Sequence, residues 1–127
     1  MATSSSPPVY TGPSVSLHVS ITVAPENAQK LLELFQPCYE AVTAIPECVF
    51  FEVFQDPDTP GKFRFVENWN ASRDWIFDVL LKKDLYKPYE AATKPLWIEP
   101  RKIEIWERLP GRPFLTVKQD MIITGKQ

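Results

Sequence analysis

Between Val15 and Val23, Leu17, Val19, Ile21 and Val23 alternate with Ser16, His18, Ser20 and Thr22. A period of two predicts a first strand with one apolar and one polar face. Ala24-Pro25-Glu26-Asn27 then opens a helix, with proline suited to the first turn and Glu26 near the positive end. Leu31, Leu34, Phe35, Cys38, Val42 and Ile45 follow at helical spacings, so the helix is expected to reach about Ala44. Pro37 lies inside it and predicts a kink or a split into two shorter helices, because it lacks an N–H and crowds the carbonyl four residues back. Cys48–Gln55 and Lys62–Trp69 read as two further strands joined by a turn-forming Asp-Pro-Asp-Thr-Pro-Gly segment. In the first of these, Val49, Phe51 and Val53 alternate with Phe50, Glu52 and Phe54. In the second, Phe63, Phe65, Glu67 and Trp69 oppose Arg64, Val66 and Asn68. Both faces of this hairpin are substantially apolar, so the sheet requires cover on both sides.

Asn70-Ala71-Ser72 offers capping side chains for a second helix over about 72–83, with Trp75, Ile76, Val79 and Leu80 as its apolar stripe. A further helical piece over 84–93 carries Leu85, Tyr86 and Tyr89. Lys102–Leu109 alternates Ile103, Ile105 and Glu107 with Glu104, Trp106 and Arg108, which predicts a fourth strand. Phe114–Thr124 is apolar enough for a short fifth strand. Residues 1–14, rich in Ser, Pro and Thr, read as a loose arm, residues 15–109 as the domain, and residues 110–127 as an extension packing on a dimer.

The resulting order, β-α-β-β-α-β plus an extension, is the α+β ferredoxin-like arrangement with an antiparallel sheet. Its helices cover one sheet face. A second copy of the chain is the simplest cover for the other, so a homodimer is expected. A length of 127 residues fits one domain, and 44% hydrophobic with 24% charged residues is ordinary for a globular protein. A net charge of −2 without a basic run argues against nucleic acid and against an anionic membrane surface. No apolar run approaches the roughly 18 residues of a membrane span. The N-terminus lacks the apolar core of a secretory signal, so a cytoplasmic protein with reduced Cys38 and Cys48 is expected.

At this point three short motifs acquire weight. Pro25-Glu26 at the helix start, Pro46-Glu47-Cys48 before strand two and Glu67-Asn68-Trp69 at the end of strand three occur in this order within Val15–Leu109. The series resembles the antibiotic biosynthesis monooxygenase family of dimeric α+β barrels, with its Glu-Pro-Gly-Cys-like turn and Glu-x-Trp-x-Ser signature. Three departures qualify the resemblance. Arg73–Tyr89 contains none of the histidines that family members commonly carry after the tryptophan, Glu47 replaces the usual glycine, and Ser72 lies one residue late. Haem breakdown, which needs an axial histidine from that helix, is therefore not expected. The resemblance implies the cofactor-independent branch, similar to quinone-forming oxygenases of aromatic polyketides, with a pocket between sheet and helices.

The chain's own chemistry is sparse. One histidine and two separated cysteines make no metal set, and four scattered glycines make no phosphate loop. Neither metal nor cofactor is expected, although a flavin bound without a motif stays open. His18 is the one side chain that ordinarily titrates near neutrality, yet it sits on the polar face of strand one, toward the expected interface. Trp69, the family-matched residue, is either a core tryptophan or a pocket wall whose indole orients a substrate oxygen. Glu67 shares its face and needs a partner if buried. Asn68, on the opposite face, could bond an enolate or serve as a cap. Arg73, Tyr86 and Tyr89 come from the helices that would roof the pocket, and such donors would stabilise a phenolate. His18, Trp69, Tyr86 and Arg73 are thus the catalytic candidates. Phe51, Phe65, Glu67, Asn68, Trp75, Tyr89 and Trp97 are the candidates for binding a flat aromatic ligand, in a chain that is 13% aromatic. Cys38 and Cys48 read as inert thiols.

Three functions fit. The first is a cofactor-free monooxygenase that deprotonates an electron-rich aromatic or polyketide-type substrate. The second is a cyclase or isomerase using the same enolate-stabilising pocket without oxygen, and the third is a non-catalytic ligand-binding or stress-associated dimer. The Ser- and Pro-rich start suits a fungal chain, in which such domains often serve secondary metabolism.

Overall fold

A computed structural model describes residues 9–125. It contains β1 (Val15–Thr22), α1 (Ala28–Thr43), β2 (Cys48–Gln55), β3 (Lys62–Trp69), α2 (Arg73–Asp78), α3 (Lys87–Thr93) and β4 (Lys102–Glu107). The four strands form one antiparallel sheet in the order β2-β3-β1-β4, which is the ferredoxin-like topology. The helices lie on one face of it. Val15, Leu17, Val19 and Ile21 of β1 and Phe63, Phe65, Glu67 and Trp69 of β3 point toward them and are buried, as the alternation predicts. Leu31, Phe35, Cys38 and Val42 of α1 close the core from the other side.

α1 runs unbroken through Pro37 rather than splitting. Pro37 lies on the exposed side, and the apolar contacts before and after it hold the helix together across the lost bond. The expected second helix is shorter than its apolar stripe suggests. Ser72 caps it, its Oγ accepting from the Trp75 N–H at 3.1 Å, but α2 ends at Asp78 and gives way to 3-10 turns over Leu80–Lys82 and Asp84–Tyr86.

Two expectations need correction. In β2, the register shifts between Cys48 and Phe50: Cys48 pairs with Trp69 and Phe50 with Asn68. Val49 is the extra residue of a bulge, so it does not share a face with Phe51 and Val53. The predicted fifth strand is absent among the described residues. Residues 114–125 hold only a 3-10 turn at Gln119–Met121, and Phe114 and Ile123 are 89% and 90% exposed. Apolar composition cannot make a strand where no neighbour offers hydrogen bonds. Of the expected arm, Met1–Pro8 lie outside the described residues. Ser14, by contrast, is buried and tied to the sheet, its hydroxyl within 3.1 Å of the Trp69 carbonyl and 3.0 Å of Asn70 Oδ1.

The outer sheet face carries Ser16 and His18, Arg64, Val66 and Asn68, Phe50, Glu52 and Phe54, and Glu104 and Trp106. Phe50, Phe54 and Trp106 on it are 42%, 45% and 59% exposed. This is the uncovered apolar surface that the hairpin pattern implies.

Candidate functional site

The polar group at the centre of the core is Glu67. Strand period places it on the helix-facing side of β3 between Phe65 and Trp69, and only 5% of it is exposed. One carboxyl oxygen accepts a hydrogen bond from the Trp69 indole N–H at 3.0 Å, the only bond its side chain makes among the described residues. One neutral donor does not replace the water lost on burial, so desolvation pushes the carboxyl up to about 8. Glu67 is therefore mostly protonated at neutral pH and becomes a strong carboxylate base above it.

Glu67 opens into a cavity of about 30 Å³ beneath α1 and α3, walled by Phe35, Phe51, Phe65, Tyr86, Tyr89 and Arg101 among others. That volume accommodates about two water molecules. Phe35 stacks on Phe65 at 4.6 Å and on Phe51 at 5.8 Å between ring centres, and Tyr89 meets Phe35 edge-on at 5.5 Å. The Tyr89 hydroxyl is buried without a hydrogen-bond partner among the described residues. The neighbouring Thr93 hydroxyl donates instead to the Tyr89 backbone carbonyl at 2.8 Å. Burial holds both tyrosine phenols above their ordinary range, and the Glu67 charge adds to this at Tyr86. Both stay protonated and remain hydrogen-bond donors. Arg101, paired with Glu90 at 2.9 Å and lying over the Trp97 ring at 5.4 Å, brings positive charge to the same wall and opposes those upward shifts. A buried carboxyl, two phenol donors and a guanidinium around an aromatic cage are the kinds of group that proton removal and the holding of an anion require.

The model of the antibiotic biosynthesis monooxygenase family matches residues 14–76, which carry β1 to the middle of α2. A protein of Pestalotiopsis microspora, provisionally named a monooxygenase, is 42% identical over 102 residues, 80% of this chain and 85% of that protein. The chain belongs to the antibiotic biosynthesis monooxygenase family. Solved structures agree in fold. A protein of Caulobacter crescentus CB15, provisionally described as an antibiotic biosynthesis monooxygenase, superposes with a TM-score of 0.68 at 21% identity, over 79% of this chain and 93% of its own. One from Nitrosomonas europaea, similarly described, gives 0.67 at 19% identity, over 79% and 94%.

In this family member, the residues singled out in the sequence divide into groups. Phe51, Phe65, Glu67, Tyr86 and Tyr89 meet at the cavity. Trp69 is fully buried beside them but spends its indole on Glu67, so it positions the carboxyl. Trp75 packs on Trp69 at 6.0 Å, behind this pair. Trp97 stands under Arg101, with its indole N–H buried and unpartnered among the described residues. His18 and Asn68 lie on the outer face. His18 bonds Ser16 Oγ at 2.9 Å there, facing Glu104 and Val66 across the strands, and burial lowers its pKa. Arg73 begins α2 at one end of the sheet, over Phe77 at 5.6 Å, and lines a different cleft.

Arg101 is the wall residue that sequence reading missed. Its signal was present: Arg101, Ile103 and Ile105 share one parity, which puts all three on the helix side. Cys38 also reaches the cavity, but burial pushes its thiol up to about 12, which keeps it inert. Among the described residues no group of His, Cys, Asp or Glu could hold a metal ion, and no helix is long and apolar enough to cross a membrane.

Proposed function

We propose that the protein is a cofactor-independent monooxygenase of a hydroxyaromatic, polyketide-type substrate such as an anthrone, acting as a homodimer, with Glu67 as the proton acceptor. The observation that carries this reading is a buried carboxyl of raised pKa, held by one indole and facing two phenols and a guanidinium. The named relative supports oxygenation. Glu67 carboxylate takes a proton from the acidic CH₂ of the anthrone, and Tyr86, Tyr89 and Arg101 hold the enolate oxygen. The carbanion gives its electrons to dioxygen, a peroxide forms on carbon, and loss of water leaves a carbonyl. One oxygen atom enters the product and the other leaves as water.

A ring of this size needs far more than the present cavity, since small-molecule sites span roughly 300–1,000 Å³. Admission therefore requires outward movement of the roof. Beside α1 and α3, the roof includes the 3-10 turns around Leu81 and Tyr86, which lack a continuous α-helical ladder. The same small volume favours a second reading, a non-catalytic ligand-binding dimer. The discriminating measurement is oxygen uptake by the full-length protein with an anthrone, across pH. Rate is expected to rise toward a plateau above about pH 8, where Glu67 is ionised. Glu67→Gln should lose about 10²–10⁴-fold, while His18→Ala keeps wild-type turnover. Full activity in Glu67→Gln refutes the assignment, and substrate conversion without oxygen uptake assigns a cyclase or isomerase.

A further inference from the structure

A second, larger recess lies at the end of the sheet where β1 begins and β3 and β4 finish. It is a cleft of about 670 Å³, a size typical of small-molecule sites, and shares no lining residue with the Glu67 cavity. Three arginines line it: Arg73, Arg108 and Arg112. None has a carboxylate within 4.0 Å among the described residues, although Glu107 also borders the cleft.

Two of the three are held in place by neutral acceptors. Arg108 Nη1 donates to Ser14 Oγ at 3.1 Å, and the Ser14 hydroxyl is itself fixed between the Trp69 carbonyl and Asn70. Arg112 Nη1 donates to the Leu109 carbonyl at 2.6 Å. Each guanidinium thus has one N–H tied down while its charge stays uncompensated and its other donors remain available. Burial lowers the Arg108 pKa, and repulsion from Arg112 adds to this.

The backbone supports the same arrangement. Gly111 and Arg112 have φ of 76° and 52°, and Arg112 is the only residue other than glycine at positive φ among the described residues. A long side chain in the left-handed region is disfavoured, and such positions gather at ligand clamps. Val9, Tyr10, Pro13, Val49 and Pro110 give the cleft an apolar side, while Thr11, Asn70, Ser72 and Glu107 add polar groups to the rest of its wall.

We propose that this cleft binds an aryl carboxylate, its carboxylate bridging Arg108 and Arg112 and its ring lying against Tyr10 and Val49. Two fixed guanidiniums suit a planar anion that accepts from both. The apolar side of the cleft favours an anion carried on a hydrophobic body over a free inorganic one. Under the function proposed above the buried site takes an uncharged hydroxyaromatic, so an anionic ligand in this cleft is a different molecule.

The test is calorimetric titration of the full-length protein with 1-naphthoate, 1-naphthol and inorganic phosphate at neutral pH. Naphthoate is expected to bind, more weakly as salt is raised, with naphthol and phosphate at least about tenfold weaker. Arg112→Ala, in an exposed turn, and Arg108→Ala should each weaken naphthoate about tenfold or more, from the loss of a charged hydrogen bond. Glu67→Gln should leave that affinity unchanged. Naphthoate affinity within twofold of wild type in both arginine variants overturns the proposal, as does loss of binding in Glu67→Gln, which would place the ligand in the cavity. Equal affinity for phosphate overturns the aryl-carboxylate assignment. Because Arg108 also braces Ser14, far-UV circular dichroism accompanies both variants, and Arg112→Ala decides if Arg108→Ala is unfolded.

Discussion

Burying the Glu67 carboxyl with a single indole donor has a thermodynamic consequence that follows from the direction of its pKa shift. The folded protein holds the proton up to about pH 8, whereas an exposed glutamate releases it near 4.5. Between these values the native state binds more protons than the unfolded state, so stability falls as pH rises through the window. Above about 8 both states are ionised and the cost of the buried charge is complete, on the order of a few kcal/mol. Glutamine removes this titration while its carbonyl oxygen still accepts from Trp69. Thermal midpoints measured from pH 5 to pH 9 should therefore decline in the wild type relative to Glu67→Gln, with the variant the more stable protein above pH 8. His18, whose pKa is lowered by burial, contributes the opposite slope near its ordinary range but is common to both proteins and cancels in the difference. Parallel curves for the two proteins would show that Glu67 is not held protonated.

At the scale of elements, the β2–β3 turn is fixed by one close approach. The Val23 N–H donates to the Gly61 carbonyl at 2.8 Å, and a Cβ on Gly61 would overlap the Val23 carbonyl oxygen. Gly61→Ala must push the turn away from the end of β1 and is expected to cost about 1–3 kcal/mol. The measurement is the urea midpoint, and a wild-type midpoint would show that the turn yields freely. Much of this level was legible in the sequence. The alternation in Val15–Val23 and Phe63–Trp69 assigned the buried faces, placed Glu67 inside and sent His18 and Asn68 outside. Arg101 could have been placed by the same parity. The bulge at Val49 was not legible, because Phe50 and Phe51 are both apolar and either register satisfies the pattern. Nor was the fate of Phe114–Thr124, since strand formation depends on a neighbouring edge that composition does not reveal. Cavity size was hidden for a related reason: the stacking of Phe35, Phe51 and Phe65 decides how much space remains beside Glu67, and rotamers are not written in the chain.

For the whole molecule the unresolved surface is the outer face of the sheet. Phe50 and Phe54 stand on β2 at one edge and Trp106 on β4 at the other, all three more than 40% exposed. Between them lie Val66, Ser16 and His18, the last two bonded to each other, together with the polar Arg64, Asn68, Glu52 and Glu104. Helices cover the opposite face, and the C-terminal segment from Thr116 to Gly125 borders Phe50 at the β2 edge yet leaves all three rings largely exposed. A second copy related by a two-fold axis would lay one sheet on the other and bring the aromatic edges of each against its partner, burying apolar surface from both at once. Light scattering on the wild type should then give twice the 14.6 kDa of one chain. Phe54→Asp combined with Trp106→Asp changes only exposed side chains, so the fold should survive while two carboxylates per chain enter the interface. The double variant is expected to scatter as a monomer with unchanged circular dichroism. A wild type that is already monomeric at micromolar concentration, or a variant that remains dimeric, would mean that these rings are covered by something other than a second sheet.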